Sequence, residues 1–195
     1  MKIAVFASGG GSDLQAIIDA CVQGNLNAEV CVVISNNSHA MALQRAKNHQ
    51  ISAFHFSTKT NPDDLDEAIL TVLQAHKIDI IFLAGYLKKL GNPILQAFKN
   101  RVFNIHPSLL PKYGGQGMFG INVHRAVIAA NETETGITIH RVDGEYDTGA
   151  ILAQRTVPVM PDDTPESLAA RVLACEHKFI VEILAQIIDK RISIS

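Results

Sequence analysis

Short apolar runs alternate with amphipathic stretches along the first half of the chain. Short apolar runs bounded by turn residues predict buried strands, and apolar residues spaced three or four positions apart predict helices. The predicted strands are Ile3–Ala7, Glu29–Ser35, Ser52–Phe56, Asp79–Ala84 and a further strand that begins at Arg101. The predicted helices between them are Leu14–Cys21, Ala40–Asn48, Asp63–Ala75 and Pro93–Lys99. This alternation predicts an α/β fold with a doubly wound, mostly parallel sheet flanked by helices, Rossmann-type in its N-terminal half.

The second half of the chain departs from this alternation after Pro111. Its predicted elements are a mobile glycine-rich loop at Gly114–Val123, a helix at Asn122–Asn131, and strands at Gly136–Val142 and Ala150–Val157. Thr164 followed by Pro165 is typical of a helix start, and helical spacing then continues to Ile188, which predicts a long C-terminal helix. Because no linker, repeat or low-complexity segment interrupts the chain, we expect residues 1–195 to form a single domain.

The composition narrows the possible functions. The chain has 195 residues, 47% of them hydrophobic, and a net charge of −2. It therefore lacks the basic surface of a nucleic-acid-binding protein, and no apolar stretch approaches the length of a membrane span. The three cysteines, Cys21, Cys31 and Cys175, lie far apart without metal-ligand spacing. We expect reduced thiols in a cytoplasmic protein with no metal site.

Asn104 and His106 are the first candidates for catalysis. Successive strand residues point to opposite faces, so these two side chains project from the same side of the strand that begins at Arg101. Pro107 ends the strand directly after them. An amide and an imidazole at a strand end can bind one oxygen atom and transfer one proton. The alternative is a polar strand end closed by an ordinary proline turn.

The segment Ser8–Asp13 is the first candidate for binding an anion. A strand, a glycine loop and a helix follow one another here, which presents backbone N–H groups and a helix N-terminus to a ligand. Ser12 and Asp13 are both suited to cap that helix. The loop has neither the dinucleotide-binding glycine spacing nor a P-loop lysine, so a tight turn into the helix remains the alternative.

Three segments follow predicted parallel strands and should meet at one edge of the sheet. They are Ser8–Asp13, Gly85–Leu90 and Asn104–Pro111, and we expect them to converge on one cleft. Asp147 in a later polar loop is a further candidate acid. Its Asp–Thr–Gly sequence also occurs in aspartic proteases, but the helical half of the chain argues against that all-β fold. Asp147 as a turn residue remains the alternative.

Three segments together resemble one enzyme family: Ser8–Ile17, Asn104–Pro111 and His140–Gly149. The sequence Asn–Ile–His–Pro–Ser–Leu–Leu–Pro of the second segment resembles the signature of folate-dependent formyltransferases. The glycine loop and the chain length narrow the resemblance to the phosphoribosylglycinamide formyltransferase family of purine biosynthesis. Methionyl-tRNA formyltransferases are similar in their catalytic domain but carry an additional C-terminal domain.

The resemblance implies formyl transfer from 10-formyltetrahydrofolate to the amine of phosphoribosylglycinamide, without a metal. It implies that Asn104, His106 and Asp147 are catalytic. The implied substrate-binding residues are Gly11, Ser12, Asp13, Gly85, Ile105 and Glu176. The implied folate-binding residues are Leu87, Lys88, Lys89, Leu90, Asn104, His140, Val142 and Asp143. We accordingly expect a phosphate-binding half at 1–100 and a catalytic and folate-binding half at 101–195, acting as a monomer or weak homodimer.

The chain departs from the family pattern at Asp13, where asparagine is common. Because a carboxylate repels phosphate, we expect backbone N–H groups and the Ser12 hydroxyl to hold the phosphate while Asp13 turns away to cap the helix. No basic residue near Pro62–Asp66 matches the family's folate contact, so Lys88 or Lys89 is expected to hold the folate tail. The long glycine-rich loop Gly114–Val123 is expected to act as a lid.

The implied reaction assigns specific tasks to the polar groups. Asn104 and protonated His106 would stabilise the oxyanion, and Asp147 would raise the pKa of His106 and relay a proton. His140 is expected in the core or the cavity wall. His124 is expected either near the substrate or on the surface of the first helical turn. The resemblance also implies a cis Leu110–Pro111 peptide.

Two other functions stay open at this stage. One is an N-formyltransferase that acts on an amino sugar nucleotide, which shares the catalytic Asn–His–Asp set. The other is a non-catalytic phosphate-binding or folate-binding module, in which Asn104, His106 and Asp147 would be dispensable.

Overall fold

The computed structural model describes residues 1–193, whose strands form one sheet with helices on both faces. The strands are β1 (Lys2–Phe6), β2 (Glu29–Ser35), β3 (Ser52–His55), β4 (Ile80–Leu83), β5 (Val102–His106), β6 (Glu134–Arg141) and β7 (Ile151–Pro158). The helices are α1 (Ser12–Val22), α2 (Met41–Asn48), α3 (Leu65–Ala75), α4 (Asn92–Ala97), α5 (Ile121–Ala129) and α6 (Pro165–Ile188). Each predicted strand and helix is present, with ends that differ by a few residues.

The strand order is β3–β2–β1–β4–β5–β6–β7. The first five strands in this order run parallel, and β6 and β7 are antiparallel to their neighbours. This arrangement confirms the doubly wound, mostly parallel sheet. The chain reverses its direction of winding between β1 and β4, and in such sheets ligands bind beyond the carboxyl ends of the strands at that point.

Both faces of the sheet are covered, which explains the continuous apolar runs of the strands. Val5 and Phe82 belong to the core beneath α1, α2, α5 and α6. Phe6 and Ile81 belong to the opposite core, beneath α3 and α4. All four side chains are completely buried. Neighbouring residues of one strand thus serve two cores, because strand side chains alternate between faces.

The observed N-terminal cap matches the prediction from the sequence at α6 but not at α1. The Thr164 side chain accepts a hydrogen bond from the Ser167 N–H and caps α6, as predicted. At α1 the cap position belongs to Gly11, and no side chain caps the helix. The prediction that Ser12 or Asp13 would cap α1 is therefore wrong. Gly11 has φ of 70°, and a Cβ there would lie 2.8 Å from the Ala42 Cβ, so glycine is required.

The glycine-rich loop is shorter than predicted. Helix α5 begins at Ile121, and Val123 is buried in the core, so the loop ends at Gly120. The Leu110–Pro111 peptide is cis, as expected. None of the helices within residues 1–193 has the length and apolarity needed to cross a membrane. The assignment of residues 1–195 to one domain, with functional halves at 1–100 and 101–195, stays a prediction.

Candidate active site

A cavity of about 640 Å³ opens at the carboxyl ends of the parallel strands. Ser8, Gly85 and His106, which follow or end β1, β4 and β5, all line it. The Ser8 N–H donates to the Gly85 carbonyl at 3.0 Å, which ties the first two segments together. The predicted convergence of three strand-end segments on one cleft is confirmed.

Asn104 is joined to two polar groups in the cavity wall. In the antiparallel ladder it lies opposite His140. The His140 Nδ1 lies 2.7 Å from the Arg141 carbonyl, which can only accept, so Nδ1 carries the proton and Nε2 is an acceptor. The Asn104 Nδ2 donates to that Nε2 at 3.0 Å and to the Asp147 Oδ1 at 3.4 Å. The amide is thus oriented from two sides.

His106 has one ring nitrogen occupied and one facing Asp147. Its Nε2 lies 2.8 Å from the Tyr113 carbonyl and must donate to it. Its Nδ1 lies 3.5 Å from the Asp147 Oδ2. The imidazole is only 4% exposed. In neutral His106 the lone pair on Nδ1 therefore faces a carboxylate, an arrangement that can accept one proton.

Burial lowers the pKa of His106 below its ordinary value, and the positive charge of a protonated His140 would lower it further. The Asp147 charge and the Tyr113 hydrogen bond oppose this shift without reversing it. Asp147 does raise the pKa of His106, as expected, but the net shift is downward, so the expectation of a protonated His106 is wrong. Desolvation of the imidazolium outweighs the attraction of one carboxylate.

Asp147 is oriented by its backbone and by four neighbours, which are Asn104, His106, Gly115 and His140. Its φ of 59° is left-handed, and its Oδ2 accepts the Gly115 N–H at 2.9 Å. Although burial alone would raise the pKa of Asp147, the positive charge that His140 and His106 carry when protonated and the hydrogen bond from the Gly115 N–H together lower it. Asp147 is therefore an ionised carboxylate at neutral pH, between two histidines.

One end of the cavity lies beside the segment Ser8–Asp13 and is called the phosphate-loop end below. It contains two acidic side chains. Ser8, Gly9, Asp13 and Glu176 line it, whereas Gly11 and Ser12 do not. The Asp13 carboxyl lies between α1 and α6, with its Oδ1 3.7 Å from the His177 Nε2. It neither caps α1 nor faces away from the cavity, so that part of the prediction is wrong. Gly85 and Ile105, also predicted to bind substrate, line the same cavity.

The opposite end of the cavity is mostly apolar with a basic rim. Of the predicted folate-binding residues, Asp143 alone does not line the cavity. Asp143 accepts hydrogen bonds from the Thr148 hydroxyl and the Glu145 N–H within its own loop. Lys89 pairs with Glu145 at 2.7 Å and lies 5.1 Å from the centre of the Tyr146 ring. Lys88 forms no ion pair with another described residue.

Several wall residues were not among the site residues named from the sequence. The loop before α5 contributes Met118 and Phe119, and Tyr146 contributes a second aromatic ring. Phe119 is 48% exposed, and an exposed aromatic residue inside a glycine loop was the signal available. The Tyr113 carbonyl carried no such signal. His124 is buried beside His106, and burial and His106 both lower its pKa, so it is not a surface residue.

Among residues 1–193, no group of three or more histidine, cysteine or acidic side chains is arranged to hold a metal ion. The three cysteines are unpaired and partly buried.

The fold and the Asn104–His106–Asp147 arrangement agree with the family that the sequence matches. Residues 1–184 match the formyl transferase family. The chain belongs to the formyl transferase family and groups within it with the phosphoribosylglycinamide formyltransferases.

Its relatives include the protein of that name from Bacillus subtilis, 35% identical over 96% of this chain and 94% of the relative. The chloroplastic phosphoribosylglycinamide formyltransferase of Vigna unguiculata is 45% identical over 98% of this chain. The chain spans only 62% of the length of that plant relative. The crystal structure of glycinamide ribonucleotide transformylase 1 from Symbiobacterium toebii superposes with a TM-score of 0.91 at 37% identity. The superposition includes 100% of this chain and 91% of the Symbiobacterium toebii chain.

Proposed function

We propose that this protein transfers the formyl group of 10-formyltetrahydrofolate to the amine of phosphoribosylglycinamide, in purine biosynthesis. The observation that carries the proposal is the contact of the Asp147 carboxylate with both Asn104 and His106 in the wall of one cavity. That cavity also reaches the loop that starts at Ser8, which offers a place for a phosphate. The relatives named above support the choice of substrates.

The catalytic roles follow from the hydrogen-bonding capacity of each group. Attack of the acceptor amine on the formyl carbon places negative charge on the formyl oxygen. The Asn104 amide stays oriented by His140 and exchanges its longer bond to Asp147, at 3.4 Å, for one to that oxyanion, which contributes about 3–4 kcal/mol to transition-state stabilisation. This interaction grows as the charge develops, so its loss lowers kcat more than it raises KM.

The proton of the attacking amine needs an acceptor and a later destination. Neutral His106 offers its Nδ1 lone pair, and the resulting imidazolium is stabilised by Asp147 at 3.5 Å. The same proton then passes to the departing folate nitrogen, which returns His106 to its neutral form. Asp147 keeps its charge throughout, because the Gly115 N–H and the imidazolium of His106 hold its pKa low.

The two ends of the cavity suit the two substrates. We assign the phosphate to the loop with Ser8 and Gly9 that leads into α1, and the ribosylglycinamide to the wall that contains Gly85 and Glu176. We assign the flat pterin ring to the apolar end, whose wall includes Leu90 and Val142. Lys88 is available for the acidic folate tail, whereas Lys89 is already paired with Glu145.

The test is turnover by the purified protein with 10-formyltetrahydrofolate and either phosphoribosylglycinamide or an amino sugar nucleotide. We expect formylation of phosphoribosylglycinamide, and loss of turnover in Asn104→Ala. Formylation of the amino sugar nucleotide alone would replace the proposed acceptor. Binding of both substrates without turnover, unchanged in Asn104→Ala, would indicate a non-catalytic binding module.

We also propose that the protein acts in the cytoplasm as a monomer or weak homodimer. One copy of the chain builds the cavity wall from its own strands and loops, and its three thiols are unpaired. Sedimentation equilibrium should give a monomer mass at micromolar concentration, and cell fractionation should recover the protein with cytoplasmic markers. A stable dimer, or recovery with an organelle, would contradict the respective proposal.

A further inference from the structure

Two buried carboxyl groups, those of Asp13 and Glu176, lie at the phosphate-loop end of the cavity. Glu176 is 7% exposed, and its carboxyl group forms no hydrogen bond within residues 1–193. The Asp13 Oδ1 is buried and likewise lacks a hydrogen-bond partner. Two ionised carboxylates in this position would each lose their hydration and would repel each other. The pair is therefore stable only when it holds a proton.

Within residues 1–193, no positive charge near Asp13 replaces that proton. From α6, the His177 Nε2 lies 3.7 Å from Asp13, but burial lowers the pKa of His177 and keeps the ring neutral. From α2, Arg45 donates to the Gly10 carbonyl and to the Gln15 side chain, and so is committed elsewhere. From β2, apolar residues such as Val33 face α1, and the charged Glu29 lies at the opposite end of that strand.

The direction of the pKa shifts agrees with this geometry. Burial raises the pKa of Asp13 to about 6. Burial, together with the charge of Asp13, raises the pKa of Glu176 well above its ordinary value. Near neutral pH Glu176 therefore keeps its proton, and the Asp13 carboxyl is the member of the pair that gains or loses a second one.

We infer that the phosphorylated acceptor binds the form of the protein in which Asp13 is protonated, so that acceptor binding takes up one proton. This inference rests on the proposed function, which places a phosphate over the N-terminus of α1. A phosphate dianion beside ionised Asp13 would meet a second negative charge, whereas the neutral carboxyl can donate a hydrogen bond to a phosphate oxygen. An asparagine at this position would be neutral at every pH. Asp13 therefore makes phosphate binding depend on pH in this chain.

The experiment is calorimetric titration of the protein with ribose 5-phosphate in buffers of different ionisation enthalpy, which counts the protons taken up. At pH 8, we expect the wild type to take up close to one proton more than Asp13→Asn. Between pH 7 and pH 8, the wild-type affinity should fall by up to about tenfold relative to that of Asp13→Asn. Comparison with the variant cancels the effect of ionisation of the ligand itself.

Equal proton uptake by the two proteins, or equal pH dependence of their affinities, would overturn the inference, as would failure of ribose 5-phosphate to bind the wild type at pH 6. If Asp13→Asn does not fold, the number of protons taken up by the wild type at pH 8 still tests the inference by itself. The titration needs neither folate nor formyl transfer. Proton uptake without turnover of phosphoribosylglycinamide would thus refute the proposed reaction but not the proton linkage.

Discussion

At the scale of single residues, the chemistry of the site depends on Asp147. Its two oxygens divide their contacts, with Oδ2 facing His106 and the Gly115 N–H, and Oδ1 facing Asn104 and His140. One carboxylate thus orients the amide that would bind the oxyanion and the imidazole that would carry the proton. Removing its charge should affect both tasks.

We predict that Asp147→Asn and Asn104→Ala each lower kcat about a hundredfold or more, with little change in KM for phosphoribosylglycinamide. The double variant should lose much less than the product of the two, because both residues act on the same oxyanion and proton. Since the Asp147 charge raises the pKa of His106, the corresponding ionisation in kcat/KM should move to lower pH in Asp147→Asn.

The measurement is a set of kcat/KM profiles against pH for the wild type, both single variants and the double variant. Asp162→Asn, in the exposed loop before α6, removes the same charge outside the cavity lining and is the control. A near-normal kcat in Asp147→Asn, with an unmoved profile, would reduce Asp147 to a turn residue.

Asp13 should also limit stability at neutral and higher pH. Its pKa is about 6 in the folded protein and near 3.8 when unfolded, so between these values the folded state binds more protons. The free energy of unfolding therefore decreases as the pH rises through this window. At pH 8, Asp13→Asn should be more stable than the wild type by about 1–3 kcal/mol, with a smaller difference at pH 4. Urea unfolding at both pH values measures this, and a pH-independent difference would contradict it.

At the scale of structural elements, the turn between β1 and α1 is held by close packing. Gly11 has a left-handed backbone and touches α2, whereas an added Cβ at Gly10 would meet nothing within 4 Å. Gly11→Ala should lower the free energy of unfolding by about 1–3 kcal/mol, and Gly10→Ala should change it by less than about 0.5 kcal/mol. Denaturant unfolding of both variants tests this, and equal effects would show that packing at Gly11 is not limiting.

The loop Gly114–Gly120 forms one side of the cavity, and its role as a lid stays a prediction. Gly115 to Gly120 all line the cavity, and the Gly115 N–H already contacts Asp147. We expect hydrogen exchange of this loop to slow when a folate analogue binds, because closure shields the backbone from water. Amides of β2, which lie outside the cavity, should exchange equally in both states. Unchanged exchange in the loop would make it a fixed wall.

At the scale of the whole molecule, α6 joins the core to the site. It packs against α1, α5, β6 and β7, and it carries Glu176 into the cavity. Ile180, one turn further along, is completely buried, whereas Lys178 is exposed. Ile180→Ala should lower the free energy of unfolding by about 2–5 kcal/mol, and Lys178→Ala by less than about 0.5 kcal/mol. Urea unfolding measures both variants. Similar losses in their free energies of unfolding would mean that burial of Ile180 is not what stabilises α6.

Much of this architecture could be predicted from the order of residues alone. The apolar runs of β1, β2 and β4 indicated strands buried on both faces, and the helices between them required parallel pairing. Parallel pairing in turn brings the segments after those strands to one edge of the sheet. The sequence was therefore sufficient for the cleft, for Asn104 and His106 on one side of β5, and for the family.

Only the tertiary structure decided how the polar groups behave. The bond between Asn104 and His140 depends on the register of two antiparallel strands, which no local pattern specifies. The pKa values of His106 and Asp13 depend on how completely other elements exclude water, and there burial outweighed the charges apparent from the sequence. Desolvation is a property of everything packed around a group, so it emerges only when the whole chain has folded.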